Sequence, residues 1–353
     1  MPSFLPSPHQ SLLLGAALSD GPTAVRAWER WRHATDVDAL DPESGRLLPL
    51  LVWNLRRSGV DHATLVRYHS VHKKTWYRNQ LSFRALTSLL RLLRQANVET
   101  LVLKGVVLAL HYYPQVGLRP MNDVDVLVRS GQLESALRVL RATGWAPVTL
   151  PNGREFSSGA TGFYHSWGFR NGTTSELDLH WHASADSCQW DADESSWDAS
   201  VPFAVGTEAT RTLDATDLLL SILVHAYASH APVIRWVADA AMIMRAAGDD
   251  VDWDRFADQA ARRRLVVPVR VALRYLDDSG FVPIPIPTIR RFEATRTGWM
   301  DRAEYAHRQS ARPYSLPNKI ARLWFWNWRL RGHAPSLLAA INFPGFLWRY
   351  AAH

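Results

Sequence analysis

The chain has 353 residues, enough to bury a sizeable core as one large domain or roughly two to three small ones. Its 40 Lys and Arg against 33 Asp and Glu leave a formal charge of +7, which favours a polyanionic partner (a nucleotide, a nucleic acid or an anionic membrane surface) without choosing among them. The single cysteine, Cys188, excludes an intrachain disulfide and points to a reducing cytoplasm; no apolar run has the length of a bilayer span, and no Lys or Arg precedes the mildly apolar Ser11–Leu18, which argues against a secretory signal.

Residues 1–96 are expected to form an N-terminal helical region. Ala24–His33 is a short amphipathic piece, Asp41 to Gly45 reads as a turn, and Leu47–Leu55 is apolar enough to be buried. Leu86, Leu89, Leu90 and Leu93 repeat at helical spacing within Leu81–Ala96, with arginines on the other face, so this helix should lead into the first strand.

Residues 97–205 are expected to form an α/β core with a small mixed sheet. Thr100–Leu103 is a short apolar strand, and Lys104 and Gly105 end it where a helix begins at Val106. Glycine at such a turn lets backbone N–H groups approach a phosphate closely, with a helix N-terminus behind them. Val124–Val128 is a second strand, in which Asp123 and Asp125 share one face while Val124, Val126 and Val128 share the other. Two carboxylates so close together are costly unless a cation sits between them, and a hard, oxygen-liganded ion such as Mg²⁺ is the natural one. Further on, Ser130 should cap a helix carrying Leu133, Ala136, Leu137 and Leu140, closed by Gly144. Trp145–Leu150 and Phe163–Arg170 read as strands, the latter ending in the Asn171-Gly172 turn. Ser175–Trp181 alternates cleanly: Glu176, Asp178 and His180 on one face, Leu177, Leu179 and Trp181 on the other. Residues 186–199 are acidic and read as a surface loop.

Residues 206–353 should be helical again. Asp214 and Asp217 signal a cap before Leu218–Ala228, Trp236–Ala247 ends at Gly248, Asp252 caps the next helix, and Pro283 to Pro287 is an extended break. The segment Asn318–Tyr350 is rich in Trp and Arg. Trp324, Phe325, Trp326 and Trp328, with Arg322, Arg329 and Arg331, suit a membrane surface or stacked bases, but a helix docked on the body with an arginine-rich outer face is favoured.

Several residues carry more than one reading. Asp123, Asp125 and Asp178 match what two-metal phosphoryl chemistry needs; the plain alternative is a turn cap and an exposed edge-strand acid, which their strand placement disfavours. The pairs Asp36/Asp38 and Asp252/Asp254 have the same spacing without a strand and read as caps. Lys104 can reach phosphate oxygens or stay solvated. Arg119, four residues before Asp123, can clamp phosphate or pair with Asp123 or Asp125. His180 can orient substrate, act as a base, or hydrogen-bond a carboxylate, the last being favoured. His180 and His182 fall on opposite faces and do not make a zinc pair, and His225 and His230 read as structural or surface residues. The chain holds neither a G-x-S-x-G elbow nor a complete P-loop.

Leu103-Lys104-Gly105, Arg119 to Val128, and Leu177 to Trp181 together resemble the nucleotidyltransferases of the DNA polymerase β-like superfamily, and more narrowly a poorly characterised bacterial nucleotidyltransferase family with these three motifs in this order. The resemblance implies NMP transfer from an NTP to a hydroxyl-type acceptor, a small molecule or a protein, with Mg²⁺ or Mn²⁺ and release of pyrophosphate. It implies Asp123 and Asp125 as ligands of both metals, Asp178 as the third ligand and aid to deprotonation, and Lys104 and Gly105 at the triphosphate, with Arg119 and His180 alongside. A catalytically silent NTP-binding scaffold of the same fold is the alternative, and a nucleic-acid substrate is less favoured because no RNA-binding module accompanies the basic charge.

Overall fold

The computed structural model describes residues 4–36, 40–150, 153–172, 175–186, 188, 191–228, 233–309, 315–331 and 336–352. The chain packs as two units, each discontinuous in sequence. One comprises Met1–Gln80, Val107–Met121 and Ala215–Arg302; the other comprises Leu81–Val106, Asn122–Asp214 and Ala303–His353.

The first unit is helical among its described residues. Pro8–Leu18 opens with a reciprocal capping box between Ser7 and Gln10, and Gly21–His33 buries Trp28 and Trp31. Asp41 to Gly45, expected as a turn, is instead the cap and first turn of helix Pro42–Arg57, because the Asp41 carboxylate accepts from the N–H groups of Glu43 and Ser44. Asp252 does cap Trp253–Arg262, accepting from Arg255 N at 2.9 Å. The proline break is shorter than expected, since Ile286 and Pro287 already belong to helix Ile286–Ala294, where proline's fixed φ suits the first turn. Val37, Asp38 and His230 lie outside the described residues.

The second unit holds the sheet. Its strands are β1 (Thr100–Leu103), β2 (Val124–Val128), β3 (Ala146–Pro147), β4 (Ser166–Asn171), β5 (Ser175–His180), β6 (Val201–Val205) and β7 (Glu208–Thr212). Their order is β3-β4-β5-β2-β1-β7-β6, with β2–β5 and β1–β7 parallel and the other pairs antiparallel. Every residue of β2 is buried, Asp125 included, as its place in the middle of the sheet dictates. The edge strands β3 and β6 each carry a proline, which cannot donate to a further ladder. The mixed α/β class expected from sequence is therefore the observed one.

Of the strand expected over Trp145–Leu150 only Ala146–Pro147 forms. Ser130 does not cap helix Leu133–Ala142; it opens a 3₁₀ turn, and its Oγ donates to Trp181 O at 3.0 Å. The pattern after residue 206 is not yet helical, because β6 and β7 form a hairpin across Gly206, which adopts φ +59°. Glu208–Thr212 has too few apolar residues to show alternation. Threonines add to its parallel ladder with β1: Thr210 and Thr100 Oγ1 lie 2.8 Å apart, and Thr212 Oγ1 donates to Val102 O. The acidic stretch 186–199 is also not a plain surface loop. Asp186, Asp193 and Trp197 are buried, and Glu194–Asp198 is a helical turn. Near the end of the chain, Leu316–Leu330 and Ser336–Ala352 are both helical, but Arg329, expected outside, is buried against Glu304.

Candidate active site

The site is built on one row of the sheet. Leu103 on β1 pairs with Asp125 on β2, Asp125 with Asp178 on β5, and Asp178 with Gly168 on β4. Residues paired across adjacent strands project to the same face, so Asp125 and Asp178 stand side by side. His180, two residues along β5, joins them: ligand atoms of Asp125, Asp178 and His180 all lie within 4.8 Å of one another. His180 Nε2 is 3.0 Å from Asp125 Oδ1, and its Nδ1 is 3.3 Å from His182 O.

Lys104 follows β1 directly and sends Nζ to within 3.4 Å of the same Asp125 Oδ1. Its backbone takes the left-handed conformation, φ +41°, which a lysine adopts only under constraint. The sharp turn is thus made at Lys104, and Gly105 sits buried inside the helical turn Lys104–Val107. Lys104 thus brings a positive charge to the carboxylates.

Asp123 opens to solvent at the mouth of β2, yet protein crowds around it. Partial dehydration first, then repulsion from Asp125 and Asp178, push its pKa up to about 6 from an ordinary 3.8, with Lys104 opposing. Burial likewise raises the Asp178 carboxyl, with Asp125 and Glu176 adding to the rise and His180 and Lys104 opposing it. A carboxylate whose folded pKa is raised destabilises the fold once charged. That penalty is absent below pH 3.8, grows as pH rises towards about 6, and is complete above it. In metal-free protein Asp123→Asn is therefore expected to raise the thermal midpoint above pH 6, with the gain vanishing below pH 3.8. Midpoints measured across that range, with chelator present, check it.

Arg119 belongs to the first unit, where it is 4% exposed and its guanidinium fork meets Asp239, Nε at 2.8 Å and Nη2 at 2.9 Å. Tyr113 donates to the same carboxylate at 2.8 Å, and these partners hold Asp239 below its ordinary value despite its burial. Asp239 was not among the partners that the sequence offered for Arg119, because it lies 120 residues away. His182, set apart from the zinc reading, pairs with Asp193 at 3.0 Å.

Two residues near the carboxylates escaped notice in the sequence. A Cβ at Gly168 would sit 3.4 Å from Asp178 Oδ1, so a larger side chain there would crowd that carboxylate. A glycine inside a strand pattern is the signal that could have found it. His165 stands edge-on to His180, ring centroids 5.4 Å apart; nothing in its local sequence marks it.

Two or three carboxylates with one imidazole suit a hard divalent cation better than a soft one. The family model described as uncharacterised nucleotidyltransferase matches residues 43–278, more than half of the chain. No curated protein matches the chain.

Proposed function

The chain belongs to the uncharacterised nucleotidyltransferase family, and on that premise we propose that it transfers NMP from an NTP to a hydroxyl-type acceptor, a small molecule or a protein, and releases pyrophosphate. The observation that carries this reading is the in-register pair Asp125 and Asp178, joined by His180 and faced by Lys104. In the reaction the acceptor oxygen bonds to the α-phosphorus. The bond from that phosphorus to the oxygen bridging the β-phosphorus breaks, and pyrophosphate leaves with its electron pair.

Asp123, Asp125 and Asp178 would hold Mg²⁺ or Mn²⁺. Such a cation would supply charge neutralisation at the phosphoryl group. Asp178 accepts the acceptor's proton, and His180 holds Asp125 in place through Nε2. Lys104 exchanges its contact with Asp125 for the triphosphate oxygens, with Gly105 beside it in the turn. Arg119 would serve through its bond to Asp239, which fixes the backbone at Arg119.

Incubating the purified protein with each NTP and either cation, against small-molecule, protein and RNA acceptors, tests the reading by pyrophosphate release. Nucleotide binding without release under every condition would overturn it in favour of a silent scaffold. Lys104→Ala is expected to weaken affinity for a non-hydrolysable NTP by about ten- to a hundredfold, the loss of a charge-assisted contact of roughly 1.5–3 kcal/mol. The same change uncovers Asp125, so cation affinity without nucleotide should rise. Calorimetric titration of each ligand separates the two effects, and equal NTP affinities would remove Lys104 from the phosphate site.

A further inference from the structure

We propose that the helical hairpin made by Leu316–Leu330 and Ser336–Ala352 docks the protein on an anionic lipid bilayer surface. The two helices pack on each other through Trp324 against Phe343, ring centroids 5.3 Å apart, and through Asn327 Nδ2 donating to Ala339 O. Ala339 and Phe346 face inward and are buried. The opposite side of the second helix is just as apolar, and among the described residues it is exposed. Leu337, Ile341 and Trp348 recur there at helical spacing and are 73%, 67% and 77% exposed. Leu338 broadens the stripe, and Leu316 and Ile320 on the first helix are 70% and 45% exposed. A helix apolar on every side is ordinarily buried on every side, and contiguous exposed patches of this kind mark interaction surfaces.

Charge selects the partner. From Tyr305 to His353 the sequence contains no Asp or Glu. Lys319, Arg322, Arg331 and Arg349 are exposed on this hairpin, Lys319 beside Ile320 and Arg349 beside Trp348. Aliphatic side chains and a tryptophan flanked by cations fit the boundary between acyl chains and anionic headgroups. A second copy fits less well, because a self-complementary interface would bring the same cations together with no acid to meet them. Nucleic acid also fits less well: among the described residues the exposed stripe is mainly aliphatic, with Trp348 its most exposed ring, whereas bases stack on aromatic faces. The hairpin lies on the bilayer without crossing it, since no helix among the described residues is long and apolar enough to span.

The test uses the full chain and vesicles of phosphatidylcholine alone or mixed with phosphatidylglycerol, read by co-sedimentation at low and high salt. Wild type is expected to partition onto the mixed vesicles and to come off as salt rises. Ile341→Glu combined with Trp348→Glu should lower that partition by at least about tenfold. Lys319→Glu combined with Arg349→Glu probes the electrostatic part separately, and should cost more than about fivefold per cation because each charge is reversed. All four positions are exposed, so circular dichroism should show each variant folded. Failure of wild type to bind the mixed vesicles overturns the proposal, as does equal binding by the apolar variant. A concentration-dependent dimer dissolved by the variants, or RNA binding lost with them, in the absence of vesicle binding, would assign the face to those partners instead.

Discussion

Asp125→Asn is expected to lower cation-dependent pyrophosphate release by at least about a thousandfold, since a metal-bound carboxylate supplies several kcal/mol of charge stabilisation and each 1.36 kcal/mol is tenfold. Asp125 is the shared point of the cluster. Its Oδ1 meets both Lys104 Nζ and His180 Nε2, and its strand position sets it directly beside Asp178. Asparagine keeps the shape and one oxygen but loses the charge that would hold a cation. The metal-free fold should persist, because β2 is held by its ladders to β1 and β5 and by buried valines. Asp254→Asn is the control: Asp254 has the same spacing to Asp252, but its side chain is 93% exposed in the first turn of a helix. Its turnover should be unchanged. Steady-state pyrophosphate assays of the three proteins, with circular dichroism at matched concentration, decide the matter, and near-normal turnover in Asp125→Asn would remove this residue from the site.

Glu304→Gln should cost about 3–5 kcal/mol of stability at neutral pH, the penalty typical of a buried ion pair that loses one partner. Glu304 is 1% exposed and receives Arg329 Nε at 2.8 Å and Nη2 at 2.7 Å, with Arg308 Nη2 at 2.9 Å. Arg308 and Arg329 also reach Asp186, so two buried acids answer two arginines. Although burial alone would raise the Glu304 carboxyl, these cations hold it down at about 2, against an ordinary 4.5. A depressed carboxylate stabilises the fold above pH 4.5, and that contribution is lost as pH falls through about 2. The deficit of the variant should therefore be full above pH 4.5 and shrink below it. Urea titrations at several pH values measure this. Replacing Glu304 and Arg329 together with Leu and Met should recover much of the loss, because no unpaired charge then remains buried. A deficit unchanged between pH 7 and pH 3 would show that packing, not charge, holds this contact.

The sequence by itself determined the pieces whose information is local. Alternation within Val124–Val128 and Ser175–His180 assigned Asp125, Asp178 and His180 each to a face of its strand, and the Leu103-Lys104-Gly105 break located a turn. Three motifs in order were enough for the family. Period-two and 3.6-residue patterns survive in a bare sequence because they record only which side of an element meets the core.

Tertiary structure alone decided what those pieces meet. Nothing local says that β5 lies parallel to β2, or that its register sets Asp178 opposite Asp125. Arg119 finds Asp239 at a separation of 120 residues, and Arg329 finds Glu304 across 25, partners that no spacing rule reaches. The β6–β7 hairpin was hidden because β7, Glu-Ala-Thr-Arg-Thr, has no apolar alternation and joins β1 through a backbone ladder with threonine hydroxyls added to it. The ion pair between Lys104 and Asp125 likewise required coordinates, since the register of β1 against β2 sets Leu103 opposite Asp125 and so brings the next residue to it. Faces are fixed by the covalent geometry of each element, whereas partners are chosen by long-range packing, in which desolvation forces each buried charge to the nearest group able to answer it.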